Sequence, residues 1–377
     1  MESFLSRRTS SLHALSLHTL FFAAVLLSAS VAPAMAAAGA DTVSFKGKTI
    51  TILVGSGPGG SSDLSARLIG PALARFLPGQ PSSIVQNMPG AHNLIALNYF
   101  AKQVKPDGLV VSVASSSQMD PINYRVPQSH YDPTAFEMIG GIDLGGTSMI
   151  IRNDALSRLT KKGVQPVAMG TVSGFPHVGM LMAAWGIKYL GWNAKWVSGY
   201  GNNSDLSLAL ERGELDMTSL ADAWFLQNPA LLNKDKFTII YQTGSNGGTE
   251  PSKIPDIAKV PLFTGEMKGK LSDPVAQDAY EYWRNLSYVF KWAALPPNTP
   301  APIVAAYREA FSKTVADPEF IAHGQTLTPG FSAISAADLT TAVKALAKVS
   351  PDAIHYMTKI LNEEGLQVTE ANEKKHS

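Results

Sequence analysis

The chain of 377 residues contains no cysteine. That excludes a disulfide framework, a thiolate metal site and a cysteine nucleophile. A chain this long also has enough core to need no covalent staple. Long apolar runs are lacking too: the most continuous, residues 20–27, is too short to cross ~30 Å of hydrocarbon. Charge is sparse and balanced, with 16% charged residues, 31 Lys and Arg and 30 Asp and Glu. A chain so balanced has no excess of positive charge for nucleic acid or an anionic membrane to select. Hydrolase and protease signatures are missing as well, since there is no G-x-S-x-G elbow and no H-E-x-x-H helix.

What is present begins with an export signal. Arg7 and Arg8 give a positive start, the apolar run follows, and Ala34-Met35-Ala36 is a small-x-small cleavage site. Residues 1–36 are therefore expected to be removed, leaving a periplasmic protein with no membrane insertion of its own. Their loss takes away Arg7, Arg8 and Glu2, so 29 basic and 29 acidic residues remain. At ~150 residues per domain the mature chain suggests two lobes.

Strand, loop and helix recur along the chain. A β-rich stretch at 47–54 meets the Gly-rich loop 55–62, and residues 63–76 then carry a helical apolar pattern. The order repeats through a strand at 83–86, a loop at 87–93, a helix at 94–103 and a strand at 109–114. A second series starts at 165–169, with its loop at 170–176 and a helix from His177 to Ala184; strands follow at 195–197, 214–218 and 237–243. Repeated strand-crossover-strand units predict an α/β fold of mainly parallel sheets flanked by helices. The expected lobes are 45–145 with 244–365, and 146–243, followed by a disordered tail at 366–377. Residues 244–273 are expected to be surface loop. Thr299 is expected to cap a helix with Pro300 in its first turn, and helices at 336–348 and 352–363 should close the chain.

Three loops place Gly or small hydroxyl residues just before a helix, at 57–63, 90–93 and 170–177. Free N–H groups at a helix start carry partial positive charge, and small side chains let an anion approach them. Each loop alone reads as an ordinary tight turn; their recurrence in both lobes, at the carboxyl ends of strands, points to an anion site. Gly55, Gly57 and Gly60 also match G-x-G-x-x-G. However, Pro58 removes a donor and Val85-Gln86-Asn87 carry no acidic residue for a ribose, so no cofactor is expected. His92, His130 and His355 are scattered, so no metal site is expected. His177 beside Ser173 is the single His-Ser neighbourhood in a candidate loop, and its commoner role is a His donating to a loop carbonyl. Trp185, Trp192 and Trp196 read as core before they read as cleft walls.

The stretch ITILVGSGPGGSSDLSARLIGPALARFL at 50–77 resembles the opening of the substrate-binding receptors of tripartite tricarboxylate transporters, the Bug-type periplasmic proteins. Pro58-Gly59-Gly60-Ser61-Ser62-Asp63 and Ala66-Arg67 fill that family's PGG-x-x-D loop and A-R pair. NMPGAHNLIALNYFAK at 87–102, KPDG at 105–108, VSGYGNNSDLSLALERGELD at 197–216 and PPNTPAPIVAAYREAFSKTVADPEF at 296–320 resemble its later motifs in order. Three positions depart: Gly55-Ser56-Gly57 replaces Pro-aromatic-Pro, His92-Asn93 replaces a Gly pair, and Gly201 stands where Lys is common.

The resemblance implies a two-lobed clamshell of the type II periplasmic-binding-protein kind, monomeric and not an enzyme, which holds a small carboxylate and delivers it to membrane transporter subunits. Its ligand set would comprise Gly57, Pro58, Gly59, Gly60, Ser61, Ser62, Asp63, Asn87, Gly90, Ala91, Ser115 and Ser116 in one lobe, and Thr171, Ser173, Gly174, Tyr200 and Asp222 in the other. Asp63 is expected to fix its helix start, leaving amides and water to grip the anion. A secreted hydrolase-like enzyme acting on a small anion and a ligand-sensing receptor are the alternatives. Replacing Gly59 and Gly60 by Val is expected to block the anion while leaving the fold intact.

Overall fold

The computed structural model describes residues 43–172, 179–245, 248–366 and 368. The expected signal segment, the tail beyond 368 and the Ser173-Gly174-His177 loop lie outside them. The chain begins with β1 (Thr49–Val54), α1 (Ser61–Phe76), β2 (Ser82–Asn87), α2 (Leu94–Lys102), β3 (Val110–Ser115), α3 (Pro121–Tyr124) and β4 (Glu137–Asp143). It continues with β5 (Thr147–Arg152), α4 (Asn153–Leu156), β6 (Val167–Val172), α5 (Leu181–Leu190), β7 (Ala194–Tyr200), α6 (Asn203–Arg212), β8 (Met217–Ala221), α7 (Asp222–Gln227) and β9 (Phe237–Gln242). The remainder is α8 (Phe263–Met267), α9 (Pro274–Leu286), β10 (Lys291–Leu295), α10 (Ala301–Ala316), α11 (Pro318–Leu327), β11 (Ser332–Ser335), α12 (Ala336–Ala347) and α13 (Pro351–Glu363).

These strands make two sheets, ordered β11-β4-β10-β3-β1-β2 and β7-β6-β8-β5-β9. In the first, β1 pairs in parallel with β2 and β3, while β10 runs antiparallel between β3 and β4. The carboxyl ends of β1 to β4 therefore share one edge with the start of β10. In the second, β6 is parallel to β7 and β8, and β5 is antiparallel to β8 and β9. Buried, near-continuous apolar strands such as TITILV suit a sheet covered on both faces.

The two crossovers between the sheets run side by side. Thr147 N–H donates to Thr243 Oγ1 at 2.9 Å and Thr243 N–H to the Thr147 carbonyl at 2.8 Å. A Cβ on Gly146 would lie 2.5 Å from the Gly244 carbonyl oxygen, so the approach requires glycine there.

One apolar core lies between the first sheet and the helices α1 and α10, with Ile52, Ile69 and Tyr307 at its centre. The larger core runs from Leu53 and Phe100 through the second sheet to the C-terminal helices. Trp185 of α5 packs on Tyr280 and Trp283 of α9 and on Tyr356 of α13. Trp192 stacks on Tyr241, and Trp196 donates its ring N–H to Glu364 at 2.9 Å. All three tryptophans are core.

Several local expectations are corrected. The strand placed at 214–218 is β8, three residues later, because the Asp216 carboxylate accepts from the Ala168 amide and from Arg158 just before it. Segment 244–273 is more than surface: Ile254, Ile257, Phe263 and Met267 are buried, and the Gln242 side chain holds the Ile257 and Val260 carbonyls and the Ser252 amide. Thr299 does not cap α10. Its hydroxyl donates to the Pro296 carbonyl, and Pro300 occupies the cap position.

Candidate functional site

The loop after β1 is built around a buried carboxylate. Asp63, in the first turn of α1 and 1% exposed, accepts from the Gly59 amide at 2.9 Å and the Asn87 amide nitrogen at 3.0 Å. Arg67, one turn on, donates to both its oxygens at 3.0 and 2.9 Å. The Arg67 guanidinium beside it, helped by those amides, lowers the Asp63 carboxyl to about 2. Asn87, at the end of β2, donates a second bond to the Ser56 carbonyl at 2.9 Å, tying the second strand to the first loop.

The result is a fixed glycine turn, its Gly59 and Gly60 amides bonded to Asp63 and to the Gly57 carbonyl, that leads into an uncapped helix. No side chain caps α1 at Gly60, so the first amides of this 16-residue helix are open to an anion. A Cβ on Gly57 would meet nothing within 4 Å, so the loop faces open space there. Gly59 also faces open space but has φ +79°, a backbone that branched residues strain to adopt. A Cβ on Gly60 would sit 3.1 Å from the Gly57 carbonyl and Ser56. The Gly59-Gly60 double valine therefore perturbs the fold itself, and Gly57 is the position where bulk tests binding alone. Inside the loop, Ser56 Oγ is buried with no hydrogen-bond partner among the described residues, the kind of group a bound polar molecule satisfies.

The loop after β2 leans on the first. A Cβ on Gly55 would lie 2.5 Å from Asn93 Oδ1, so the two loops touch through Asn93, a residue outside the expected ligand set. Gly90, Ala91, His92 and Asn93 all have positive φ, between 45° and 135°. Three consecutive non-glycine residues in that region cost on the order of 1–3 kcal/mol each, and such strain concentrates at ligand sites. Ser115 is committed locally: its hydroxyl donates to Gln118 at 2.7 Å, and its carbonyl accepts from Trp292. Ser116 begins the short turn that follows.

The second sheet contributes fewer described groups. Thr171 is fully buried, with its hydroxyl on Met180 sulfur at 3.3 Å. Tyr200 ends β7 half-buried, its phenol raised by that burial. Asp222 lies at the crossovers: its amide donates to the Gly146 carbonyl at 2.9 Å and its carboxylate accepts from Ser148 at 2.6 Å. Burial raises its carboxyl, as it raises that of Asp143 on the neighbouring crossover to about 7. Asp222 thus belongs to the packing of the crossover more than to a ligand-facing loop. A groove of about 470 Å³ lined by Pro71, Arg75 and Pro81 lies at the opposite end of β2, away from these loops.

Among the described residues no three His, Asp or Glu side chains gather as a metal would require, and no helix is long and apolar enough to cross a membrane. No family model matches the chain. A UPF0065 protein of Bordetella pertussis is 30% identical over 126 residues, 33% of this chain and 38% of that relative, so the match spans well under half of either. Among solved structures, the periplasmic binding protein BugD superposes with a TM-score of 0.59 at 17% identity, covering 84% of this chain and 98% of BugD. An R. palustris protein with adipate gives 0.61 at 17% identity, over 83% of this chain and 97% of that one. Two sheets flanked by helices and joined by paired crossovers, superposing on nearly the whole of these neighbours, give this chain the type II periplasmic-binding-protein fold.

Proposed function

We propose that the chain is a periplasmic solute receptor, monomeric and non-catalytic, that closes its two lobes on a small carboxylate and delivers it to tripartite-type membrane subunits. The observation that carries this reading is the uncapped start of α1, held open by the Asp63-Gly59-Asn87 bonds and facing space at Gly57. Amides so arranged replace the water of a carboxylate without supplying a nucleophile or a base. The neighbour with adipate carries a ligand of the same class. The lobes would be 45–145 with 244–365, and 146–243, moving about the crossovers near Gly146 and Gly244.

The enzyme alternative needs a base beside a nucleophile, and its candidates, Ser173 and His177, lie outside the described residues. A thermal-shift screen tests the receptor reading. A ligand that binds only the folded state stabilises it by ~2.7 kcal/mol at a hundred times its dissociation constant. A carboxylate that raises Tm and is recovered unchanged supports the proposal. Shifts with esters, sugars or nucleotides but with no acid would contradict it.

A further inference from the structure

The strand β10 carries a charge where its packing asks for none. Lys291, its first residue, is 3% exposed. Its register sets it opposite Ser115 at the end of β3 and Ile142 near the end of β4. It therefore stands at the sheet edge from which the loops after β1, β2 and β3 leave. Trp292 and Ala294 join one core, while Ala293 and Leu295 join the other, beneath α1 and α10. Alternation puts Lys291 on this second side, the side on which α1 begins.

The amine has little to hold it. It donates to the Phe290 carbonyl at 3.3 Å and sits 3.7 Å from the centre of the half-buried Phe290 ring. No carboxylate lies within 4.0 Å among the described residues, and burial alone lowers the amine to about 7. A buried cation without a counter-charge is costly, and an apolar residue of similar size would pack better. An anion arriving with the ligand would repay that cost.

We propose, resting on the receptor reading above, that Lys291 is a specificity-determining residue that takes the second carboxylate of a dicarboxylate whose first carboxylate lies at the start of α1. Strands β1 and β10 are separated by β3 alone, which places their ends ~10 Å apart. A dicarboxylate with a hydrogen bond of ~2.9 Å at each end spans a distance of that order. The titratable groups on the elements around Lys291 are few. Asp143 follows Ile142 on β4 and belongs to the crossover, Asp63 and Arg67 of α1 are paired with each other, and Arg308 of α10 faces Glu137.

Calorimetry on the mature protein with matched pairs, succinate against butyrate and adipate against hexanoate, tests the assignment. Wild type should prefer the diacid. Lys291→Met should melt higher than wild type without ligand and bind the diacid about 10- to 100-fold more weakly, with monoacid affinity unchanged. A wild-type readout needs no variant: at pH 8, diacid binding measured in two buffers of different ionisation enthalpy should take up close to one proton, and monoacid binding none. Asp143→Asn should retain that uptake. A Lys291→Met protein that binds succinate and adipate like wild type, or a wild type that prefers the monoacids, overturns the role of Lys291 and leaves the receptor standing. Failure of wild type to bind any acid removes both.

Discussion

At the scale of single residues, Asp63 decides how the first loop is presented. It is nearly inaccessible, yet its bonds to Gly59, Asn87 and Arg67 keep it ionised. The sign of its pH effect follows: a carboxyl lowered from 3.8 to about 2 contributes stability that is complete above pH ~4 and lost as pH falls toward 2. Asp63→Ala should cost about 2 kcal/mol at pH 7, a figure reduced because the Arg67 side chain is 52% exposed. Denaturant melts at pH 7 and pH 2.5 check this, and the gap between the two proteins should shrink at the lower pH. Gly57→Val should leave the melt unchanged, since its Cβ meets nothing, and abolish carboxylate binding. Unaltered affinity would exclude the loop from the site.

This loop was largely legible in the sequence, because glycine, proline and serine before a helical pattern have few other uses. Asn93 was not, since its role depends on Gly55 being close in space. Lys291 does leave a signal, a single lysine within the apolar stretch 287–295, but its burial depends on the strands that flank it.

Among elements, the crossovers are where the buried carboxylates gather. Asp143 and Asp222 are both buried there, and after burial itself the Asp222 charge adds to the difficulty of ionising Asp143. A carboxyl raised from 3.8 to about 7 is favourable to the fold while protonated, and its penalty grows as pH rises through that window. Asp143→Asn, which keeps an acceptor for the Gly145 amide, should therefore stabilise by on the order of 2 kcal/mol at pH 8 and hardly at all at pH 4. Equal effects at both pH values would show that Asp143 does not titrate as described.

The helix α9 is masked in the sequence by the loop-like residues that precede it, although Ala276, Ala279, Tyr280, Trp283 and Leu286 recur at helical spacing. The short strand β11 and the helix α11 have weaker signals. An Asp-Pro pair reads as the end of α10, and Gly324 interrupts the pattern that follows, its place set by the Phe331 ring 2.4 Å from a Cβ there.

For the whole molecule, two sheets are joined by crossovers at 143–147 and beyond 242, and the C-terminal helices pack on α5 through the Trp185 cluster. Closure on a carboxylate should reduce the radius of gyration measured by small-angle scattering, with no change in secondary structure. The alternation of strand and helix made this architecture readable from sequence. What the second sheet contributes to the candidate site was not, because that depends on loops whose side chains meet only after folding. The most direct test of carboxylate capture is amide hydrogen exchange with and without saturating succinate or adipate. Slowed exchange at 57–63 and 88–93 is the predicted result. Protection confined elsewhere, or none at saturation, would contradict the account.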